Sequence, residues 1–102
     1  MLRTVKISDQ LPIWNDDFSE IIDGVPYEAT VETGPDNEYG PHANIKEIII
    51  AGEVAFDPSK GIGVDCLVEA LRKVDDGFIP SIFMSGIQDS AVKKDLKERG
   101  LI

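Results

Sequence analysis

The 102-residue chain predicts an α+β fold, a small antiparallel sheet of three to four strands packed on two C-terminal helices, with residues 1–102 forming one domain. Three observations predict it. Val25 to Ala51 reads as strand, Gly/Pro loop and strand; the hydrophobic period changes from two to that of a helix at Val64; and a charged amphipathic run closes the chain from Gln88 to Arg99.

Taken in order, Leu2 to Ile7 alternates Arg3, Val5 and Ile7 against Leu2, Thr4 and Lys6, as a short edge strand does, and Ser8-Asp9-Gln10 ends it. Pro12 to Gly24 has two readings. As a helix, it sets Trp14, Phe18, Ile21, Ile22 and Val25 on one stripe, with Asn15 or Asp16 as cap and Gly24 as stop. As a strand, it uses Asp23-Gly24 as a two-residue turn joining Phe18–Ile22 to Val25–Thr33, because that dipeptide tolerates positive φ. We favour the hairpin, since Asp-Gly runs directly into an alternating segment. In that register Asp17, Ser19, Glu28, Thr30 and Glu32 share one face, which would be an ordered acidic array.

Tyr27, Ala29 and Val31 alternate with Glu28, Thr30 and Glu32, the pattern of a strand with one wet face. Gly34-Pro35 and Gly40-Pro41 then punctuate the chain, and proline has no amide to give a ladder, so a long loop carrying Asp36, Asn37, Glu38, Tyr39 and His42 is expected. Ile45, Ile48, Ile49 and Ile50 suit a central strand covered on both faces. Gly52 allows a turn into a fourth short strand, Glu53 to Phe56, and Asp57 to Gly61 reads as another turn. Val64, Leu67, Val68, Leu71 and Val74 mark a helix with Asp65 near its positive end and Arg72 and Lys73 near its negative one. The uncharged segment from Phe78 to Gln88 reads as core, with Pro80 starting a short helical turn. The last helix turns Ile87, Ala91, Val92 and Leu96 inward.

Charge separates the halves. The formal net charge is −9; residues 1–60 hold twelve acids and four bases, and no Lys or Arg occurs between Ile7 and Ile45. Phosphate binding needs clustered cations, so direct nucleic-acid binding is not expected. No apolar segment approaches the roughly 20 residues of a membrane span, and the N-terminus lacks a signal-peptide core, so no membrane association and a cytoplasmic location are expected. Cys66, the one cysteine, reads as a small buried apolar side chain.

Catalytic signals are sparse. His42 is the one histidine, and Asp36-x-Glu38-x-Gly40 lacks the later glycine and terminal glutamate of a calcium loop, so no metal and no cofactor are expected. Asp16 with Glu28 would need a cleft to divide acid and base roles. Lys60-Gly61-Ile62-Gly63 lacks the ending of a phosphate loop and is better explained as a turn. Tyr39, flanked by Glu38 and Gly40, suits equally an interface anchor and a ring packed back on its own hairpin, and Phe83 and Met84 are read as core before partner groove.

Asp23-Gly24-Val25-x-Tyr27-Glu28-Ala29, the loop ending Tyr39-Gly40-Pro41, and Ile45-Lys46-Glu47-Ile48-Ile49-Ile50 together resemble small early-region proteins of tailed bacteriophages, over roughly residues 20–75. The resemblance implies a phage or prophage origin, where small acidic proteins commonly bind and disable a host or defence protein, here in the host cytoplasm.

The expected function is a non-enzymatic interaction protein, with no catalytic residues. Asp16, Asp17, Glu28, Glu32, Asp36, Glu38 and Tyr39 would occupy a basic surface on a partner, with charge speeding association and Tyr39 or Trp14 supplying desolvated contact. The alternatives are a DNA mimic acting on a nuclease or CRISPR complex, and an oligomeric adaptor, including a homodimer, that buries Phe78–Met84 between subunits. A small hydrolase using His42 ranks last.

Overall fold

A computed structural model describes residues 3–14, 16, 17, 19–37, 40–75 and 77–100, with only the backbone described at 35–37 and 40–42. Four strands, β1 (Arg3–Trp14), β2 (Ile21–Asn37), β3 (Gly40–Ile50) and β4 (Glu53–Phe56), form one antiparallel sheet in the order β1-β2-β3-β4. Two helices, α1 (Val64–Val74) and α2 (Pro80–Glu98), pack on it, α2 across β1, β2 and β3 and α1 against β4. The predicted α+β class holds, and β4 falls on its predicted residues.

Alternation selects the inner face. Val5, Ile7 and Leu11 of β1 lie opposite Val31, Ala29 and Val25 of β2, and Ala29 and Tyr27 lie opposite Ile48 and Ile50 of β3. The helices close over this face with Leu67, Leu71, Ile87 and Ala91, completing one core in which Ile48, Leu67, Leu71 and Ile87 are almost wholly buried. Each such side chain contributes about 1.5–3 kcal/mol on leaving water.

The structure corrects the sequence expectations at five places in the chain. β1 does not stop at Ser8-Asp9-Gln10 but continues to Trp14. Asp23-Gly24 is no turn: it lies inside β2, opposite Ile13 and Pro12, and the chain reverses between Trp14 and Ile21, which pair. Among the described residues of 15–23, 16, 17, 19 and 20 lie in the turn and 21–23 begin β2, in place of the expected helix or first arm. Gly24 leaves room for the side chain of Gln10 from the neighbouring strand, which a β-carbon there would displace. Phe18, placed opposite Ala29 by the rejected register, lies outside the described residues.

Second, Gly34-Pro35 and Gly40-Pro41 do not open a long loop. The ladder continues through Gly34 opposite His42 to Asn37 opposite Gly40, with an irregularity that accommodates the prolines. Third, β3 is covered on one face only. A bulge at Lys46 resets the alternation so that Ile45, Ile48 and Ile50 all point inward, while Ile49 faces out, half-buried. Fourth, the Phe78–Gln88 segment and the last helix are one 19-residue helix from Pro80. Fifth, Cys66 is exposed.

The β3–β4 turn is Ala51-Gly52, with φ of 53° and 80°. Two positive φ values match the right-handed twist of the strands, which is why glycine stands at one of them. After β4, Asp57 and Ile62 exchange backbone hydrogen bonds of 2.8 and 3.0 Å around a 3-10 turn, Pro58–Lys60.

β2 outruns β3. Pairing with β3 begins at Tyr27, so residues 21–25 pair with β1 alone and the β1–β2 hairpin projects as an arm. The molecule measures 44 × 33 × 23 Å with a radius of gyration of 14.7 Å, above the roughly 13 Å of a compact chain this long.

Candidate functional site

Of the seven residues proposed from sequence, those that the structure describes lie on separate parts of the sheet. Asp16 and Asp17 lie in the β1–β2 turn, Asp36 lies at the far end of β2, and Glu28 and Glu32 stand between them on the open face. Glu38 and Tyr39 lie outside the described residues, and only the backbone of Asp36 and His42 is described. At about 3.4 Å per residue, Glu28 is roughly 24 Å along the strand from Ile21, so Asp16 and Glu28 cannot act on one bond. The open face is also mixed in sign. Lys6, opposite Thr30, stands diagonally between Glu28 and Glu32, and Lys46 is exposed at its bulge beside Glu47.

The projecting arm gathers a different set of groups. Trp14 is 40% exposed at its end, and Ile21 and Ile22 are exposed beside it. Beneath the arm, where the α1–α2 connection meets α2, Ile79 is 54% and Ile82 66% exposed. A groove of about 360 Å³ runs between arm and helix, lined by Leu11, Tyr27, Phe78, Ile79, Ile82 and Phe83 among others. A second depression, lined by Trp14, Asp75, Gly77 and Phe78, adjoins it through the shared Gly77 and Phe78. Monomeric proteins rarely leave apolar side chains contiguous and exposed in this way without a partner.

The groove has a rigid floor and an acidic margin. Tyr27 and Phe83 meet edge to face, their ring centres 5.1 Å apart and planes at 78°. Asp9 lies opposite Tyr27 across the β1–β2 pair. Burial, and secondarily the Asp9 carboxylate, raise the Tyr27 phenol above its ordinary pKa, so it stays a neutral hydroxyl. Asp75 lines the second depression, Asp16 and Asp17 follow Trp14 in the turn, and Asp23 pairs with Ile13; among the described residues no Lys or Arg lines either hollow.

The sheet edge on this side is partly occupied. Along β1 the Lys6 carbonyl accepts the Lys94 ammonium at 2.7 Å, the Gln10 amide donates to the Asp9 carboxylate at 2.8 Å, and Pro12 has no amide. These even-numbered residues share the phase that faces away from β2. Where β2 overhangs β3, the Gly24 amide donates to Asp23 at 2.7 Å and Pro26 again has no amide. These occupied or missing donors and acceptors disfavour an added strand along both stretches and leave recognition chiefly to side chains.

Other candidates carry less. Among the described residues no group of three or more His, Cys, Asp or Glu is placed to hold a metal ion. The turn after β4 is no phosphate cradle: the Asp57 carboxylate already accepts the Ser59 amide at 3.1 Å and hydroxyl at 2.6 Å. The Ser59 hydroxyl chiefly, with Lys60 and two backbone amides, lowers the Asp57 pKa despite the opposing effect of burial. Cys66 lines a shallow hollow of about 210 Å³ between β4 and α1, with Glu53, Glu69 and Lys73 around it.

Sequence reasoning named Trp14, Asp16 and Asp17 but placed Ile79 and Ile82 in the core. The signal for Ile82 was present. Extending the helix phase of Ile87, Ala91 and Asp95 back to Pro80 puts Ile82 in the wet row with Gly86, Asp89 and Lys93.

Compared with known proteins, the chain matches no family model, no curated protein and no solved structure.

Proposed function

We propose that this chain is a small, acidic, non-enzymatic interaction protein that occupies a basic surface on a partner protein. The observation that carries the reading is the projecting arm, where Trp14, Ile21 and Ile22 stand exposed next to Asp16 and Asp17. An apolar anchor ringed by charge supplies desolvated contact at its centre and steering at its rim. The resemblance to phage early-region proteins adds that the partner is a host or defence protein and that binding inhibits it. Lysines interleaved with the carboxylates of the open face favour this reading over DNA mimicry, which needs an unbroken array. Among the described residues no helix is long and apolar enough to cross a membrane.

The test is affinity capture from a bacterial lysate with the wild type and, separately, Asp16→Lys and Glu28→Lys, each washed at low and high salt. A partner with a basic surface, released by salt and by Asp16→Lys but retained by Glu28→Lys, supports the arm as the site. Capture indifferent to salt and to both substitutions sinks the acidic reading.

A further inference from the structure

Resting on the interaction-protein reading, we propose that the groove between the β1–β2 arm and the start of α2 receives a basic polypeptide segment, which inserts one or two large apolar side chains between Ile79, Ile82 and Leu11 while its Lys or Arg residues meet the surrounding aspartates. The chemistry of the occupant follows from three properties of the site. Its lining is apolar and open, with Ile82 two-thirds exposed, so the inserted group is apolar. Among the described residues its lining holds no Lys or Arg; Asp75 lines the adjoining depression, Asp9 and Asp23 lie on the arm opposite Tyr27 and Ile13, and Asp16 and Asp17 follow Trp14 in the turn, so the flanks of the occupant are positive. The neighbouring backbone edges are occupied by Lys94, Asp9 and Asp23 or lack amides at Pro12 and Pro26, so the segment docks by side chains rather than as an added strand.

A second copy of this chain is a poor occupant. With a net charge of −9, and with the aspartates gathered at this end, pairing two grooves would bring like charges together.

Two variants isolate the groove without breaking the fold. Ile82→Asp changes an exposed side chain. Ile79 is the N-cap of α2, with extended backbone and no side-chain capping bond, so Ile79→Ser removes an exposed apolar group while supplying a favoured cap. The probe is a displayed random-peptide library selected on wild-type protein and counter-selected on Ile82→Asp, with binding of each recovered Trp-free peptide followed through the emission of Trp14, the one tryptophan.

The expected result is enrichment of peptides that flank Leu, Ile, Phe or Met with Lys or Arg. Their binding should shift Trp14 emission to shorter wavelength. Affinity should fall about tenfold or more in Ile82→Asp and in Ile79→Ser, and also when Lys and Arg are replaced by Gln. Recovered peptides that are neutral or acidic, that bind both variants as well as wild type, or that do not exceed the bare support overturn the proposal. So does a dimer by light scattering that Ile82→Asp dissolves, which would make a second copy the occupant, or Ile82-dependent sedimentation with phosphatidylcholine vesicles. If lysate capture stays sensitive to salt and Asp16→Lys while Ile82→Asp and Ile79→Ser leave it unchanged, the groove assignment falls and the acidic reading stands.

Discussion

Arg3, the first residue of β1, places a guanidinium nitrogen 3.3 Å from the carboxylate of Asp95, which is buried on α2. Arg99 closes the same carboxylate from the next helical turn, its Nε 2.9 Å from both oxygens, and Arg3 also reaches Glu98 at 2.7 Å. The edge strand and the last helix are thus joined through one buried acid on the row of Ile87 and Ala91.

Asp95→Asn should lower stability by about 1–3 kcal/mol, the range for charge-assisted hydrogen bonds whose partners stay partly solvated. Urea unfolding of Asp95→Asn, Arg3→Ala and the double variant measures the link. A coupling energy above about 0.5 kcal/mol is expected, and simple additivity would remove the ion pair as a clamp.

Acid should loosen the turn after β4. Because the Ser59 hydroxyl chiefly lowers the Asp57 pKa, the carboxylate is favoured in the folded state. Its stabilising effect is present above the ordinary Asp range and is lost as pH falls through the lowered folded pKa. In Ser59→Ala, carboxyl-carbon NMR should show Asp57 titrating at higher pH than in the wild type. An unchanged titration would mean that Ser59 is not the main cause.

At the alkaline end the relation reverses in form. Folding holds the Tyr27 phenol neutral, so stability is full below the ordinary tyrosine pKa near 10 and declines as pH rises toward the raised value. Ultraviolet titration should show a phenol ionising above the ordinary range, and Asp9→Asn should lower that pKa in part, because burial is the larger cause. Complete return to the ordinary value in Asp9→Asn would reverse the ranking of the two.

Cys66, exposed on α1, should react with a thiol-specific disulfide reagent in the native state, one equivalent per chain without denaturant. Reaction only after unfolding would contradict the exposed placement.

Local patterns were legible where local physics sets them. The alternation of Tyr27 to Glu32 and the helical period from Val64 to Val74 each lie within one element, so they could be read without knowing its neighbours. Asp23-Gly24 shows the opposite case. Its residue types suit a turn, yet Pro12 and Ile13 pair with it across the sheet, and the contacts of a 12-residue β1 outweigh a two-residue preference. The same holds for Gly34-Pro35, where a register irregularity lets the ladder continue. Asp95 was legible only in part for a related cause: Arg99, one turn on, is a local partner for this carboxylate on a core-facing helix row, but Arg3, which also faces it, comes from the other end of the chain.

The candidate site divides along the same line. Composition by itself determined that one half of this chain is acidic and that Trp14 stands among acids, because charge and residue type do not depend on folding. Only the tertiary structure decided that Asp16 and Asp36 lie at opposite ends of a long strand and that the arm overhangs β3. It also decided that Ile79 and Ile82 line a groove with Leu11, beside the depression that Trp14 lines, instead of filling the core. The reason is geometric: strand register and helix phase set which side chains meet, and both depend on pairings between segments far apart in the chain.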